Sequence, residues 1–183
     1  MLKVSENPPA RTDGYDSIAQ YTGDWWAAHT KARNEKALAW DLLAKGVPYF
    51  LPMVTRVIFS GGRKRKAMHP LFGGYVFFVG DTHTRAAVFQ TDRVCNVIEV
   101  KNPDRLVESL SSIERALDSG TPIDAYPFAV VGRRVRVQAG PMTGVVGIIA
   151  KRDGVDRLYI SVEMLGQSAE LPIDTSLVQP FDG

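Results

Sequence analysis

Four consecutive cations, Arg63-Lys64-Arg65-Lys66, follow the turn-forming Ser60-Gly61-Gly62. Side chains of this type at this spacing make or break no bonds. They neutralise phosphates and release counterions. Adjacent positive charges repel one another unless a polyanion faces them, although an ordinary solvated turn is the other reading of the run. Enzyme signatures are missing: there is no Gly-Lys-Ser/Thr phosphate loop and no glycine fingerprint after a strand. His29, His69 and His83 do not stand at metal-ligand spacing with Cys95, the one cysteine. The chemistry expected is recognition rather than catalysis, with no metal and no cofactor.

A second set of residues suits protein contact. The segment Pro70-Leu71-Phe72-Gly73-Gly74-Tyr75-Val76-Phe77-Phe78 carries four rings. Strand neighbours point to opposite faces, so these rings cannot all enter one core. Either both faces are buried, or some rings form an apolar patch for a partner. Trp25, Trp26 and Trp40 pose the same choice.

The elements that must position these residues follow from pattern. Residues 1–23 hold Pro8-Pro9, Gly14 and Gly23 and are expected as a mobile arm. Trp25 to His29 has the apolar run of a buried strand, and Thr30 can cap a following helix. Leu38, Leu42 and Leu43 lie on one face of that helix, and Gly46 ends it. Val47 to Leu51 and Val54 to Phe59 are strands around Pro52, and the basic run is a flexible hairpin tip. Strand character resumes at Leu71 and Tyr75, a short helix covers Thr84 to Gln90, and Val94 to Val100 is a further strand. Asn102-Pro103 opens a helix, with Leu106, Leu110, Ile113 and Leu117 on one face. Residues 119–128 contain Pro122 and Pro127 and are expected as a linker. Beyond them, about five short strands without a helix signal point to a small barrel that closes its own edges.

Composition bounds the class. The chain has 183 residues, 45% hydrophobic and 23% charged, with a net charge of +2. These are ordinary globular proportions, so wholesale disorder and coiled-coil character are excluded. Residues 24–118 carry 14 basic and 10 acidic side chains, whereas residues 129–183 carry six of each. A lone thiol suits a reducing cytosol. No apolar run is long enough for a membrane span, and no secretory leader is expected.

In this order the features resemble the NusG family of transcription elongation factors. The matching pieces are Trp25-Trp26-Ala27-Ala28-His29-Thr30-Lys31, the helix Asn34 to Lys45, Phe50-Leu51-Pro52, and Pro70 through Phe77. The run Gly132-Arg133-Arg134-Val135-Arg136-Val137 through Gly147 resembles the KOW motif. The resemblance covers residues 24–181.

The resemblance implies an α+β protein. Residues 24–118 would be an NGN domain, an antiparallel sheet flanked by helices that binds RNA polymerase. Residues 129–183 would be a KOW β-barrel, the SH3-like kind, joined flexibly. An apolar depression would dock on the clamp helices of the largest polymerase subunit. Phe72 and Tyr75 match the docking positions, with Trp25 nearby. His83-Thr84-Arg85 falls where the specialised paralogue RfaH has a His-Thr-Thr motif facing the gate loop of the second-largest subunit. The tip, Arg63 to Lys66, would lie near upstream DNA or the non-template strand. The KOW domain would recruit a termination factor or a ribosomal protein.

Two departures from the pattern bear on function. Phe72-Gly73-Gly74-Tyr75 replaces the usual Phe-Pro-Gly-Tyr and keeps both rings. Met164-Leu165-Gly166-Gln167 stands where housekeeping members have Phe-Gly-Arg, which moves partner choice at Met164, Leu165 and Gln167 away from the termination factor. The expectation is therefore an RfaH-like antitermination factor that suppresses pausing, cytoplasmic and monomeric, with its KOW domain a barrel rather than a helical hairpin. The competing readings are a housekeeping elongation factor that couples to a termination factor or the ribosome, and a ribosomal-type KOW protein that binds RNA. The neutral C-terminal block counts against the latter.

Overall fold

The computed structural model describes residues 6–182. They form two compact units: one runs through Asp16 and resumes over Gln20–Lys101, and the other joins Ser17–Ala19 to Asn102 and the residues after it.

In the first unit, β1 (Trp25–Thr30) is buried at every position but His29. A strand covered on both faces needs no polar alternation, which is why Trp25-Trp26-Ala27-Ala28 is continuously apolar. β1 lies inside an antiparallel sheet with β2 (Tyr49–Phe50), β5 (Tyr75–Val79) and β6 (Val94–Glu99), in the order β2-β5-β1-β6. Trp26 pairs with Phe78, and Ala28 with Val76. Against this face packs α1 (Glu35–Ala44), which buries Leu38, Ala39 and Leu42. Thr30 does not cap α1. It ends β1 beside a register shift, and Asn34 precedes the helix. Gly46 takes φ +65 just past the helix end, as expected of a left-handed stop.

β3 (Met53–Ser60) and β4 (Arg63–Pro70) pair only with each other, as a two-stranded ribbon. Gly61 and Gly62 both have positive φ at its turn, the conformation a two-residue hairpin loop demands. α2 (Thr82–Phe89) follows β5.

Residues 6–16, expected as part of an arm, make fixed contacts in this unit. The Leu51 amide donates to the Ala10 carbonyl at 2.7 Å, and the Tyr49 hydroxyl donates to the Pro9 carbonyl at 2.8 Å. Burial and the nearby Tyr21 and Asp13 push the Tyr49 hydroxyl well above the usual tyrosine range. Residues 1–5 of the expected arm lie outside the described residues.

The second unit is built on α3 (Pro103–Asp118) and six antiparallel strands. Asn102 caps the helix by accepting the Arg105 amide at 3.2 Å, with Pro103 in the first turn. Leu106, Leu110 and Ile113 are buried, as their spacing predicts. The strands are β7 (Asp124–Tyr126), β8 (Arg134–Val137), β9 (Val146–Arg152), β10 (Val155–Val162), β11 (Gln167–Pro172) and β12 (Val178–Pro180), in the order β12-β8-β9-β10-β11-β7. Among the described residues no pairing joins β7 to β12, so this sheet is open where a closed barrel was expected. The expected linker is itself partly strand, since β7 falls within it and pairs with β11.

α3 is tied to this sheet by polar contacts. The Ser109 hydroxyl donates to the Ser161 carbonyl at 2.8 Å, the Val146 amide donates to the Ser112 hydroxyl at 3.1 Å, and Glu108 meets Arg134. Gly147 on β9 is required by close approach, because a Cβ there would stand 2.7 Å from the Tyr159 carbonyl oxygen.

Candidate binding surfaces

The basic run lies on the β3–β4 ribbon. Arg63, Lys64, Arg65 and Lys66 are all exposed. They belong to β4 itself rather than to a loose tip, and each is paired across the ribbon: Arg63 with Ser60, Lys64 with Phe59, Arg65 with Ile58 and Lys66 with Val57. Between Met53 and Pro70 stand five Lys and Arg residues and no acidic one. No neighbour within the ribbon offsets their charge, so positive potential concentrates along it.

The expected docking rings divide. Trp25 is 4% exposed and Phe72 1% exposed, so both are closed off in this structure. Tyr75 is half-buried and stacks on exposed His29, with ring centroids 5.0 Å apart and planes 20° apart. The turn before Tyr75 is braced: the Gly74 amide donates to the Glu35 carboxylate at 2.7 Å, and the Thr30 amide donates to the Gly74 carbonyl at 2.8 Å. Gly74 has φ +84 and sits against the His29 ring, 3.6 Å from where a Cβ would be. The structure thus brings Tyr75, His29 and Gly74 to one surface and leaves Phe72 beneath. His29 was not among the expected contact residues; its signal is an ionisable side chain in an otherwise apolar run, and it is the one exposed position of β1.

His83 and Thr84 stand in the first turn of α2, His83 exposed and Thr84 half-buried. Asp81 caps that turn. Its carboxylate accepts the Thr84 amide at 2.8 Å and the Thr84 hydroxyl at 2.9 Å. Those bonds hold the Asp81 carboxyl below its ordinary range. The Thr84 hydroxyl is therefore occupied, and His83 is the side chain of the pair that faces outward. Arg85 points elsewhere, its guanidinium 5.5 Å from the Trp26 ring centroid and 5.5 Å from that of Phe89.

In the second unit, Met164 and Leu165 lie in a single 3-10 turn, Glu163–Leu165, that ends at left-handed Gly166. Gln167 opens β11 opposite Val162. Met164, Leu165 and Gln167 are all half-buried. The run from Gly132 to Gly147 spans β8 and the turn into β9, where it packs Val135, Val137, Val145 and Val146 inward.

Among the described residues no group of three or more His, Cys, Asp or Glu side chains could hold a metal ion. Cys95 is exposed. Among the described residues no helix is long and apolar enough to cross a membrane.

Comparison with known proteins places part of this chain. The family model NusG, described as transcription termination factor nusG, matches residues 23–114. No curated protein matches the chain.

Proposed function

Since residues 23–114 are half of its length, the chain belongs to the NusG family of transcription factors, and we propose that it is an RfaH-like elongation and antitermination factor. Members of this family bind RNA polymerase, and the family is one of transcription factors rather than enzymes. The observation that carries the finer reading is the Tyr75 surface. It lies inside the matched segment, it presents a stacked ring pair, and its turn is braced by Glu35.

In this reading Tyr75 makes the contact with the clamp helices of the largest subunit, while buried Phe72, at the turn before it, and buried Trp25, at the far end of the β1–β5 pair, hold the sheet that carries it. His83, with Thr84 behind it, faces the second-largest subunit. Arg63, Lys64, Arg65 and Lys66 run beside upstream DNA or the non-template strand. The second unit acts as a KOW module whose Met164, Leu165 and Gln167 engage a further protein. The working division is a polymerase-binding part within residues 24–118 and a recruiting part within residues 129–183, with α3 built into the same compact unit as the recruiting part.

The mechanism is a shift of equilibrium. A protein that bridges two mobile parts of the polymerase favours the closed, processive state only by its differential affinity for that state. About 1.4 kcal/mol of difference changes the ratio of paused to active complexes tenfold.

Purified RNA polymerase on beads tests the reading. Wild type should be retained and Tyr75→Ala lost, with a matching loss of pause suppression in transcription assays. Retention of folded Tyr75→Ala at wild-type level would refute the docking assignment. The description of the family as a termination factor favours a second reading, a general elongation factor. Binding of the second unit to a termination factor would select it.

A further inference from the structure

Residues 124–131 of the second unit are tied along one side and bare along the other. On the inner side, Asp124, Ala125 and Tyr126 pair with Glu170, Ala169 and Ser168 of β11. The buried Ser168 hydroxyl donates to the Phe128 carbonyl at 2.9 Å, and the Val130 amide donates to the Ser161 hydroxyl at 3.3 Å. The two serine hydroxyls lie 2.9 Å apart. On the outer side, β7 has no second neighbour among the described residues, so it is an edge of its sheet. The run that follows it, Pro127-Phe128-Ala129-Val130-Val131, has no polar side chain, yet Phe128 is 63% exposed and Val131 95% exposed.

An unpinned loop would turn such side chains inward. Here the serine hydroxyls fix the backbone, so the apolar side chains stay out and little ordering is left to do when something binds. The edge of β7 offers backbone donors and acceptors that another extended chain satisfies. A lipid surface would cover Phe128 and Val131 but leave those backbone groups unpaired. β7 is short, so its backbone alone gives little, and Phe128 and Val131 lengthen the contact. Charge defines the rest of the occupant. From Ala125 to Arg152 there are five Lys and Arg residues and no acidic one. Arg134 is paired with Glu108 and Arg152 with Glu170, whereas exposed Arg133, two residues beyond Val131, makes no ion pair among the described residues. The strip therefore runs from exposed Asp124 at one end to an unpaired cation at the other.

We propose that this strip docks an extended segment of a partner protein, apolar in its middle and acidic at one end. The segment adds to the free edge of β7, packs on Phe128 and Val131, and sets its acidic end against Arg133. The proposal stands apart from the polymerase contact and from the roles given to Met164, Leu165 and Gln167.

Phage-displayed random peptides of about 12 residues, panned on the full chain, are the probe. Enriched peptides should combine apolar residues with Asp or Glu. A labelled synthetic copy should bind wild type in fluorescence anisotropy, and Phe128→Ser and Val131→Ser should each weaken that binding about tenfold. Arg133→Ser should weaken it less and flatten its dependence on salt. Bound peptide should slow amide exchange in β7. The substituted side chains are exposed, so the variants stay folded, and a thermal melt checks this.

Failure to enrich any peptide, enriched peptides without an acidic residue, equal binding by Phe128→Ser and wild type, or binding that leaves exchange in β7 unchanged would each overturn the proposal. Peptides lost with Gln167→Ala but kept with Phe128→Ser would also overturn it, by moving the contact to the turn between β10 and β11. So would binding to vesicles of anionic phospholipid that Phe128→Ser abolishes, because it would mark the strip as a membrane contact.

Discussion

Glu114 on α3 holds Ser17: its carboxylate accepts the Ser17 hydroxyl at 2.6 Å, and also the Ile18 backbone amide at 3.2 Å. Glu114 is 5% exposed and Ile18 fully buried. A buried carboxylate is tolerated because donors surround it, and the same bonds fasten residues 17–19 to the helix. Glu114→Ala should lower the stability of the second unit by about 2 kcal/mol, since it strands a buried amide donor. Urea denaturation followed by circular dichroism would read this, and Glu114→Gln, which keeps an acceptor oxygen, should lose less.

Phe72 and Tyr75 should separate in stability as well as in binding. Phe72 is sealed, so Phe72→Ala should cost about 3–5 kcal/mol through the cavity it leaves. Tyr75→Ala loses a half-exposed ring and one stacking contact with His29, which is worth about 1 kcal/mol. Thermal melts of both variants check the order. Tyr75→Ala is accordingly the variant whose polymerase binding can be interpreted.

The cap on α2 predicts a pH dependence. Asp81 accepts the Thr84 amide and hydroxyl as a carboxylate, which holds its folded pKa below the ordinary 3.8. A depressed carboxyl stabilises the native state above the unfolded value, and the contribution is lost as pH falls through the folded one. At neutral pH, Asp81→Ala should fray the first turn of α2 and speed amide exchange at Thr84. The charge-dependent part of that difference should shrink as pH drops below 3.8 and toward the folded value.

The approach of β9 to β10 predicts intolerance at Gly147. A Cβ there would meet the backbone oxygen of Tyr159 at 2.7 Å and Leu158 Cδ1 at 2.9 Å. Backbone cannot rotate away as a side chain can, so Gly147→Ala must push the strands apart. The expected loss is about 1–3 kcal/mol, measured as a lower urea midpoint for the second unit.

Gly80 constrains the His83 surface through a side chain, the β-branched Thr84, whose Cβ is fixed to the helix and would itself stand 2.5 Å from an added Cβ. A Cβ at Gly80 would fall 2.4 Å from Thr84 Cγ2. Gly80→Ala should therefore displace the first turn of α2, and a polymerase-bead assay should show weaker retention with the rest of the fold intact.

Much of the secondary structure was legible from spacing alone. Leu38 with Leu42, and Leu106 with Leu110 and Ile113, mark helical faces that are buried. The two glycines after Ser60 mark a hairpin turn, and the basic run then falls on the returning strand. Thr30 misled because its type suits a cap while its backbone is spent on β1, whose pairing continues through it. Residues 119–128 misled because two prolines outweigh a three-residue strand that exists only by pairing with β11. The open edge of the second sheet was equally hidden, since short β-branched runs fit closed and open sheets alike.

Residue type and order were enough to mark the helical faces, the tight hairpin, the concentration of cations between residues 53 and 70, and membership of a polymerase-binding family. Local preferences and covalent geometry act within a few residues, and these features need no more. Which rings stay uncovered was decided by folding: Phe72 went under, Tyr75 paired with His29, and Phe59 was left in water across from Lys64. Exposure depends on segments far along the chain, and no local pattern records which of them will arrive.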